Sequence, residues 1–445
     1  MKKNEIIEVT CEYLGTDGKG LCKYNKCTVF VPFLLKGERA KVIITDVKGS
    51  NIYANIKEIL EKSENRCSER CSSYYRCGSC NLRHLSYDEE LKFKQNNICL
   101  AYKNEGIKVK VEPVVKMDDP SNYRYKVIAS FGLKKNEIVY GLYEEGTHNI
   151  IGNNDCPIQS HELNEVLKSI KKIMIKLHMV PFNEYNNRGS LRHILLRMGR
   201  KTNEIMVVFV TVSEMFHGRN ELVKELIKIH PNIKTVVQNI NPRRTSVVLG
   251  DKERVLYGDG YIFDDLLGIK FKISPKSFFQ VNPIQTEILY QEALNCAEIS
   301  TNDIVLDAYC GTGTISLAVS KKAKMVYGVE IVKDAISDAI SNAKENNIRN
   351  AFFKCDDAKK YMQTFNKKID CLIVDPPRKG CDKEFINAVL KLEPKKIVYV
   401  SCDPFTQARD VKLLMGKYNV RLVKPVDMFP RTVHVETVVL LEKKG

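Results

Sequence analysis

The sequence predicts an α/β protein whose C-terminal part is a parallel, doubly wound, Rossmann-like sheet. From about residue 276, short apolar runs typical of strands alternate with stretches of helical periodicity, which is the order that builds such sheets. A turn with two glycines, residues 309–314, follows the first of these strands and leads into a predicted helix. Ligands of this fold bind beyond the carboxyl ends of the strands, so we expect the functional residues there.

Residues 1–60 predict a small β-barrel. Apolar and polar residues alternate over short runs, such as 28–32 and 41–44, and glycines occupy the turns between them. This pattern is typical of short, half-buried strands of the kind that close into an OB-like barrel. We therefore treat residues 1–60 as a first domain.

Residues 61–275 predict a mixed α+β region, and residues 276–445 form the third predicted domain. The middle region begins with a cysteine-rich segment and a helical stretch at 85–106, which could pack on the C-terminal domain. Strand-like runs follow, such as 126–131 and 205–210.

The composition indicates a basic protein of a reducing compartment. The chain has 445 residues, a formal net charge of +16 and 15 cysteines. Such an excess of positive charge favours a polyanionic partner, most often a nucleic acid, over a merely lysine-rich protein. The N-terminus has no apolar signal core and no apolar run could span a bilayer, so we expect a cytoplasmic protein with no membrane partner. There, cysteines point to metal binding or catalysis more than to disulfides.

A group of cysteines has the spacing of a metal centre. Cys71, Cys77 and Cys80 lie within ten residues of the chain, and Cys156 is the candidate fourth ligand, with Cys67 as its competitor. Four thiolates can bind zinc or an iron–sulfur cluster. Zinc more often uses two Cys-x2-Cys pairs, so the three-plus-one spacing favours a 4Fe-4S cluster, and unliganded structural cysteines are the alternative.

The turn after the first C-terminal strand suits a nucleoside cofactor. Gly311 and Gly313 let the backbone approach a ligand closely, and Glu330 ends the next predicted strand, where a carboxylate can bind two ribose hydroxyls. The turn lacks the Gly-x-Gly-x-x-Gly pattern of dinucleotide sites. These features fit S-adenosyl-L-methionine (SAM), and a purely structural βα turn is the alternative.

The catalytic candidates are Cys402, directly after the apolar run 397–400, and Glu436. The C5 carbon of uracil is a poor nucleophile, but a thiolate that adds to C6 makes C5 enolate-like, so that it can accept a methyl group. A base must then remove the C5 proton. Cys402 and Glu436 supply these two groups, and a buried core cysteine is the alternative for Cys402.

These motifs resemble the uracil-C5 RNA methyltransferase family over nearly the full chain. Residues 375–380 together with 397–406 are similar to the first family signature, and residues 427–436 to the second. The resemblance implies a C-terminal SAM-dependent methyltransferase domain, a central α+β domain with an iron–sulfur cluster and an N-terminal TRAM domain, which is an OB-like RNA-binding barrel.

The resemblance also implies roles for individual residues. The nucleophile falls on Cys402, the base on Glu436, and Phe278 is expected to stack on the target uracil. The implied SAM contacts are Gln280, Tyr309, Thr314, Glu330, Asp357 and Asp375. The implied cluster ligands are Cys71, Cys77, Cys80 and Cys156.

The barrel and the cluster together are typical of the ribosomal branch of this family, so the expected substrate is 23S rRNA and the expected product 5-methyluridine. The alternatives are the same chemistry on tRNA, a non-catalytic RNA-binding assembly factor, and methylation of free nucleotides. We expect a monomer.

Three residues depart from the family pattern. Asp403 replaces an Asn beside the nucleophile, Arg431 replaces a Gln, and Ser79 replaces a Gly between two cluster cysteines. A carboxylate at position 403 would raise the pKa of Cys402 if it pointed toward the thiol.

Overall fold

The computed structural model describes residues 2–144, 146–183, 186–243, 245 and 247–445. These residues form one closed barrel, two seven-stranded sheets and a two-stranded hairpin, with nine helices among them. In this part of the chain, no helix has both the length and the apolar character needed to cross a bilayer.

The N-terminal residues close into a five-stranded barrel, with strand order β1-β2-β3-β5-β4, as the alternating pattern predicted. Inward-facing residues such as Val29, Val31 and Ile44 fill its core. Gly20 lies where the wall is tightest, because a Cβ there would stand 2.6 Å from the carbonyl oxygen of Leu34. The strands are β1 (Ile6–Leu14), β2 (Gly20–Tyr24), β3 (Cys27–Val31), β4 (Arg39–Lys48) and β5 (Asn51–Glu61).

The cysteine-rich segment, residues 66–85, joins the barrel to helix α1 (Tyr87–Asn104). Arg66 donates hydrogen bonds to the buried carboxylate of Glu38, at 2.5 and 2.7 Å. The ring of Phe33 lies 5.1 Å from that of Tyr74. The barrel is therefore packed directly on this segment.

The central sheet has seven strands in the order β12-β11-β10-β9-β6-β7-β8. Helices α2 and α3 cover one of its faces, and the β13–β14 hairpin covers part of the other. The elements are β6 (Lys126–Lys134), β7 (Glu137–Tyr143), β8 (Ile150–Gly152), α2 (His161–Lys176), β9 (Leu191–Met198), β10 (Ile205–Thr211), α3 (Arg219–Ile229), β11 (Ile233–Ile240), β12 (Lys252–Tyr257), β13 (Ile262–Leu266) and β14 (Ile269–Ile273).

The C-terminal sheet has the order β17-β16-β15-β18-β19-β21-β20. Its elements are α4 (Pro283–Ala297), β15 (Ile304–Ala308), α5 (Thr314–Ser320), β16 (Met325–Glu330), α6 (Lys333–Glu345), β17 (Ala351–Cys355), α7 (Ala358–Thr364), β18 (Cys371–Val374), α8 (Lys383–Leu392), β19 (Lys396–Ser401), α9 (Pro404–Leu414), β20 (Tyr418–Val426) and β21 (Glu436–Lys443). The Rossmann-like fold is confirmed.

The strands that the sequence predicted in this sheet, β15, β16, β18 and β19, are parallel, but the last two strands are not. Strand β21 runs antiparallel to β19, and β20 runs antiparallel to β21. The connection from β20 to β21, residues 427–435, contains no helix and is too short for a parallel crossover, so the chain turns back on itself.

Helix α1 packs on the C-terminal sheet. Its residues Ile98 and Tyr102 share a hydrophobic core with β18 and α9, and the amide of Val115, further along, donates to the carbonyl of Pro425 at 2.9 Å. The division into residues 1–60, 61–275 and 276–445 stays a prediction.

Candidate active site

A cavity of about 1570 Å³ opens at the carboxyl ends of β15, β16, β18 and β19. This is the edge of the sheet where the fold places its ligands. The nine predicted residues of the catalytic, cofactor and substrate sites all line it: Phe278, Gln280, Tyr309, Thr314, Glu330, Asp357, Asp375, Cys402 and Glu436.

The antiparallel pairing of β19 and β21 brings Cys402 and Glu436 together. Ser401 lies opposite Thr437, so the next pair along the two chains is Cys402 and Glu436. Burial, together with the nearby charge of Asp375, raises the pKa of Glu436 to about 8, although Arg378 acts in the opposite direction.

The Cys402 thiol is half-buried beside these charges. Burial raises its pKa to about 11, and the carboxyl of Glu436 contributes to the rise. The guanidinium of Arg378 acts in the opposite direction, through its charge and a hydrogen bond to the thiol. A cation beside the sulfur therefore favours the thiolate that nucleophilic attack requires.

The carboxylate of Asp403 is turned away from the thiol. Its Oδ1 accepts hydrogen bonds from the amides of Phe405 and Thr406, both at 3.0 Å. Asp403 is thus the N-cap of α9, a position that Asp and Asn both favour. Asp at position 403 therefore serves as a helix cap, as the Asn of the family pattern could, and does not act on the Cys402 thiol.

The turn between β15 and α5 forms a hollow at the cofactor end of the cavity. Tyr309, Gly311 and Gly313 have φ angles of +65°, +54° and +79°. A Cβ at Gly311 would meet no atom within 4 Å, whereas one at Gly313 would lie 3.0 Å from the ring of Phe353. Gly311 therefore faces open space, as a ligand approaching the backbone requires.

The second strand offers a carboxylate beside an apolar surface. Glu330 ends β16, and Ile331, which follows it, is 67 % exposed in the same cavity. A carboxylate next to an apolar patch suits a ribose joined to a purine, so these residues fit SAM. Asp357 caps α7, accepting from the amides of Lys359 and Lys360 at 3.0 and 3.3 Å.

Asp307 is a cavity residue that the sequence reasoning did not select. It lies at the end of β15, and burial raises its pKa to about 7. Ser316 donates to its Oδ2 at 2.5 Å, while its buried Oδ1 has no partner among the described residues. Burial also raises the pKa of Asp375 to about 7. The sequence did contain a signal for Asp307, because it is an acidic residue two positions before the glycine turn.

Cations from the central region also line the cavity. Arg124 and Lys126, at the start of β6, belong to its wall, and Phe278 is 65 % exposed there. The alternation of tyrosines and basic residues at 123–126 could have indicated them, since RNA-binding surfaces combine aromatic and cationic side chains.

Helix α1 holds the loop that leads to Glu436. Lys94 is fully buried, and its Nζ lies 2.6 Å from Asp427 and 2.7 Å from Glu90. Burial alone would lower the pKa of Lys94, but the two carboxylates outweigh it and raise it. Nζ also donates to the carbonyl of Phe429 at 3.2 Å.

The cysteine-rich segment holds the same loop. The amides of Asn81 and Leu82 donate to the carbonyl of Arg431 at 3.0 and 3.1 Å, and the Arg431 amide donates to Glu90 at 2.7 Å. The segment next to Cys80 is thus hydrogen-bonded to the loop that carries the candidate base.

The four predicted cluster cysteines lie near one another, where the cysteine-rich segment meets the central sheet. After burial, the charges of Cys156 and Cys77 help to raise the pKa of Cys80, and those of Cys71 and Cys77 affect Cys156 in the same way. Cys67 is exposed. In the described ranges, no three His, Cys, Asp or Glu side chains are arranged to hold a single metal ion.

The fold and the cavity define the class of protein. A Rossmann-like sheet with a glycine turn, an open hollow and a carboxylate on the second strand is that of a SAM-dependent methyltransferase. Residues 86–444 match the tRNA (uracil-5-)-methyltransferase family, and residues 2–55 match the TRAM domain. The chain belongs to this family of SAM-dependent RNA uracil-C5 methyltransferases, and the resemblance is confirmed.

Relatives and solved structures agree with this family. A protein named as an uncharacterized RNA methyltransferase from Oceanobacillus iheyensis is 43% identical over 100% of this chain and 98% of its own length. One from Clostridium tetani is 41% identical with the same coverage. The Pyrococcus abyssi tRNA (uracil-54, C5)-methyltransferase, solved with S-adenosyl-L-homocysteine, has a TM-score of 0.79 at 27% identity and covers 98% of this chain and 100% of its own.

Proposed function

We propose that this enzyme methylates C5 of uridine in 23S rRNA through a covalent adduct with Cys402. The observation that carries the proposal is the pairing of β19 with β21, which sets a half-buried thiol opposite a buried carboxyl group in one cavity. Methylation at C5 through C6 addition needs these two groups, a nucleophile and a base.

The proposed reaction balances as follows. The Sγ thiolate of Cys402 adds to C6, and the electrons of the C5–C6 double bond move into the C5–C4–O4 enolate. C5 then attacks the methyl carbon of SAM, whose sulfur keeps the bonding electron pair and becomes neutral. Glu436 removes the C5 proton, the C5–C6 double bond re-forms, and the Sγ–C6 bond breaks to return the thiolate.

Other cavity residues have proposed supporting roles. Arg378 stabilises the thiolate, and Phe278, exposed at the rim, stacks on the uracil. The proposed SAM contacts are Gln280, Tyr309, Thr314, Glu330, Asp357 and Asp375.

Replacing the base should trap the adduct. Glu436→Gln keeps the shape of the side chain but cannot accept the C5 proton, so the methylated RNA should stay bound to Sγ and migrate slowly with the protein on a denaturing gel. Cys402→Ala should still bind SAM, yet give neither adduct nor product. Full activity of either variant would contradict its assigned role.

The choice of 23S rRNA rests on the combination of the barrel with the four-cysteine group. The tRNA alternative is favoured by the Pyrococcus abyssi enzyme, whose name specifies tRNA and whose structure covers 98% of this chain. Mapping 5-methyluridine in 23S rRNA and tRNA from cells with and without this protein tests the choice. If cells without the protein lacked 5-methyluridine only in tRNA, the substrate would be tRNA and not 23S rRNA.

We also propose that Cys71, Cys77, Cys80 and Cys156 bind a 4Fe-4S cluster. A 4Fe-4S cluster is bound by four thiolates, and four thiols lie near one another here. When bound, the cluster would cross-link the cysteine-rich segment to the central domain at Cys156.

Protein isolated without oxygen should contain about four irons per chain. Cys71→Ser, Cys77→Ser, Cys80→Ser and Cys156→Ser should each lose iron, whereas Cys67→Ser should retain it and serves as the control. Iron and zinc are measured together by mass spectrometry, and stoichiometric zinc without iron would overturn the assignment.

A further inference from the structure

A second cavity, of about 420 Å³, lies against the central sheet and outside the catalytic cavity. Three cationic side chains and four aromatic rings contribute to its wall: Arg76, Lys134, Arg192, Phe131, Tyr143, His148 and Phe182. Among the described residues, no acidic side chain lines it. Its chemistry therefore suits an anion that carries a flat, π-bonded ring.

Strand β6 connects the two cavities along one face of the sheet. Lys126, at its start, lines the catalytic cavity, and Lys134, at its end, lines the second. Side chains alternate along a strand, so these two lysines and Ser130 share a face. The opposite face, with Val127 and Ala129, is covered by the core under α2.

The separation of the cavities is within reach of one RNA strand. At a rise of about 3.3 Å per residue, the six steps from Lys126 to Gly132, which also lines the second cavity, span roughly 20 Å. Nucleotides stacked at about 3.4 Å cover that distance in roughly six steps, and an extended strand needs fewer.

Tyr143 provides a ring on which a base can stack. It is 39 % exposed, and the His148 and His193 rings lie 5.7 and 6.5 Å from it. Burial lowers the pKa of His193 to about 4, so that ring is neutral, and its Nδ1 lies 3.1 Å from Ser130 Oγ. The tyrosine is thus supported from within the sheet while it remains open to a ligand.

The cations beside this ring are positioned for phosphate. Arg192 is buried and donates through Nη1 to the carbonyl of Arg243 at 2.5 Å, which fixes its guanidinium. Lys134 lies at the exposed end of β6. Arg76 is paired with Glu144 at 2.9 Å, so we assign the phosphate to the exposed Lys134.

We propose that this cavity binds an unpaired nucleotide of the substrate RNA, several nucleotides from the target uridine, with its base on Tyr143. This inference rests on the proposed methylation of RNA and adds a second point of substrate recognition. If the second cavity binds RNA in this way, the affinity of the enzyme for RNA depends on RNA length. The rate of the reaction at Cys402 does not depend on the second cavity.

A ladder of RNAs tests the proposal. Starting from the shortest RNA that is methylated, single nucleotides are added on either side of the target, and Kd is measured with wild type, Tyr143→Ala, Tyr143→Phe and Lys134→Ala. The control Lys172→Ala removes an exposed lysine from α2, on the covered side of the sheet.

The wild-type Kd should fall in one step, by about tenfold, when the RNA reaches the second cavity, since stacking on an aromatic ring has this magnitude. The step should vanish in Tyr143→Ala, shrink in Lys134→Ala and persist in Tyr143→Phe and Lys172→Ala. All variants should keep the wild-type kcat on the shortest RNA and the wild-type affinity for SAM.

A wild-type ladder without a step, or a step that survives in Tyr143→Ala, overturns the proposal. Failure of the proposed function looks different, because wild type would then methylate none of the RNAs. If tRNA is the substrate, the same ladder is built on the tRNA fragment that is methylated, and the same outcomes apply.

Discussion

Three carboxyl groups in the catalytic cavity retain protons near neutral pH. Burial raises the pKa of Asp307 and Asp375 to about 7 and that of Glu436 to about 8. SAM carries a positive sulfonium, which favours the ionised form of a nearby carboxyl group. Binding of the cofactor and loss of these protons are therefore linked.

The affinity for SAM should rise with pH. Below pH 7 these groups are protonated in the free enzyme and must ionise to stabilise the cation; above pH 8 they are already charged. We expect SAM to bind about tenfold more tightly at pH 8 than at pH 6, with proton release visible by calorimetry in buffers of different ionisation enthalpy.

S-Adenosyl-L-homocysteine is the matched control, because it lacks the sulfonium charge but shares the amino and carboxyl groups. Its affinity should change much less over this pH range. Equal pH dependence for the two ligands would show that the carboxyl protons do not respond to the methyl-donor charge.

At the scale of elements, helix α1 is joined to the catalytic loop through buried charges. Lys94 contacts Asp427, 333 residues away in the chain, at 2.6 Å, and Tyr87 donates to the other oxygen of that carboxylate at 2.8 Å. These carboxylates compensate the charge of Lys94, which could not be buried without such partners.

Lys94→Met should strongly destabilise the protein. Glu90 and Asp427 would remain buried without their cation, and breaking a buried pair in this way costs about 3–5 kcal/mol of unfolding free energy. Lys92→Met is the control on the same helix, since Lys92 is 66 % exposed in its pair with Glu89 and its loss should change the stability far less. Urea denaturation compares the two, and equal losses would contradict the special role of Lys94.

At the scale of the whole molecule, the positive charge lies mostly outside the barrel. Residues 2–61 hold ten Lys or Arg and eight Asp or Glu, so the barrel accounts for only two of the net +16. Its surface includes half-buried aromatic rings instead, with Phe30 stacked on Tyr53 at 5.3 Å. We infer that the barrel contributes stacking and the rest of the chain contributes phosphate attraction.

Deleting residues 2–61 should therefore weaken RNA binding without removing its salt dependence. The slope of log Kd against log salt reports the number of phosphates neutralised, and we expect it to change by less than about two while Kd for RNA rises and Kd for SAM is unchanged. Arg66→Gln is added to the truncated protein, because its partner Glu38 is lost. A slope near zero after truncation would assign the phosphate contacts to the barrel.

Much of the fold and site could be predicted because the relevant patterns are local. Strand and helix periods repeat over a few residues, which was enough for the barrel and for the strand–helix alternation after residue 276. Parallel strands also end at a common edge, so the strand-end residues Glu330, Asp375 and Cys402 could be expected in one cavity.

The tertiary structure alone decided which distant residues meet and how they are charged. The sequence does not indicate that Lys94 reaches Asp427, or that β21 runs antiparallel and so sets Glu436 opposite Cys402. Such contacts depend on how separate elements pack. The raised pKa of Asp307 has the same origin, because desolvation is a property of the folded surroundings and not of the residue itself.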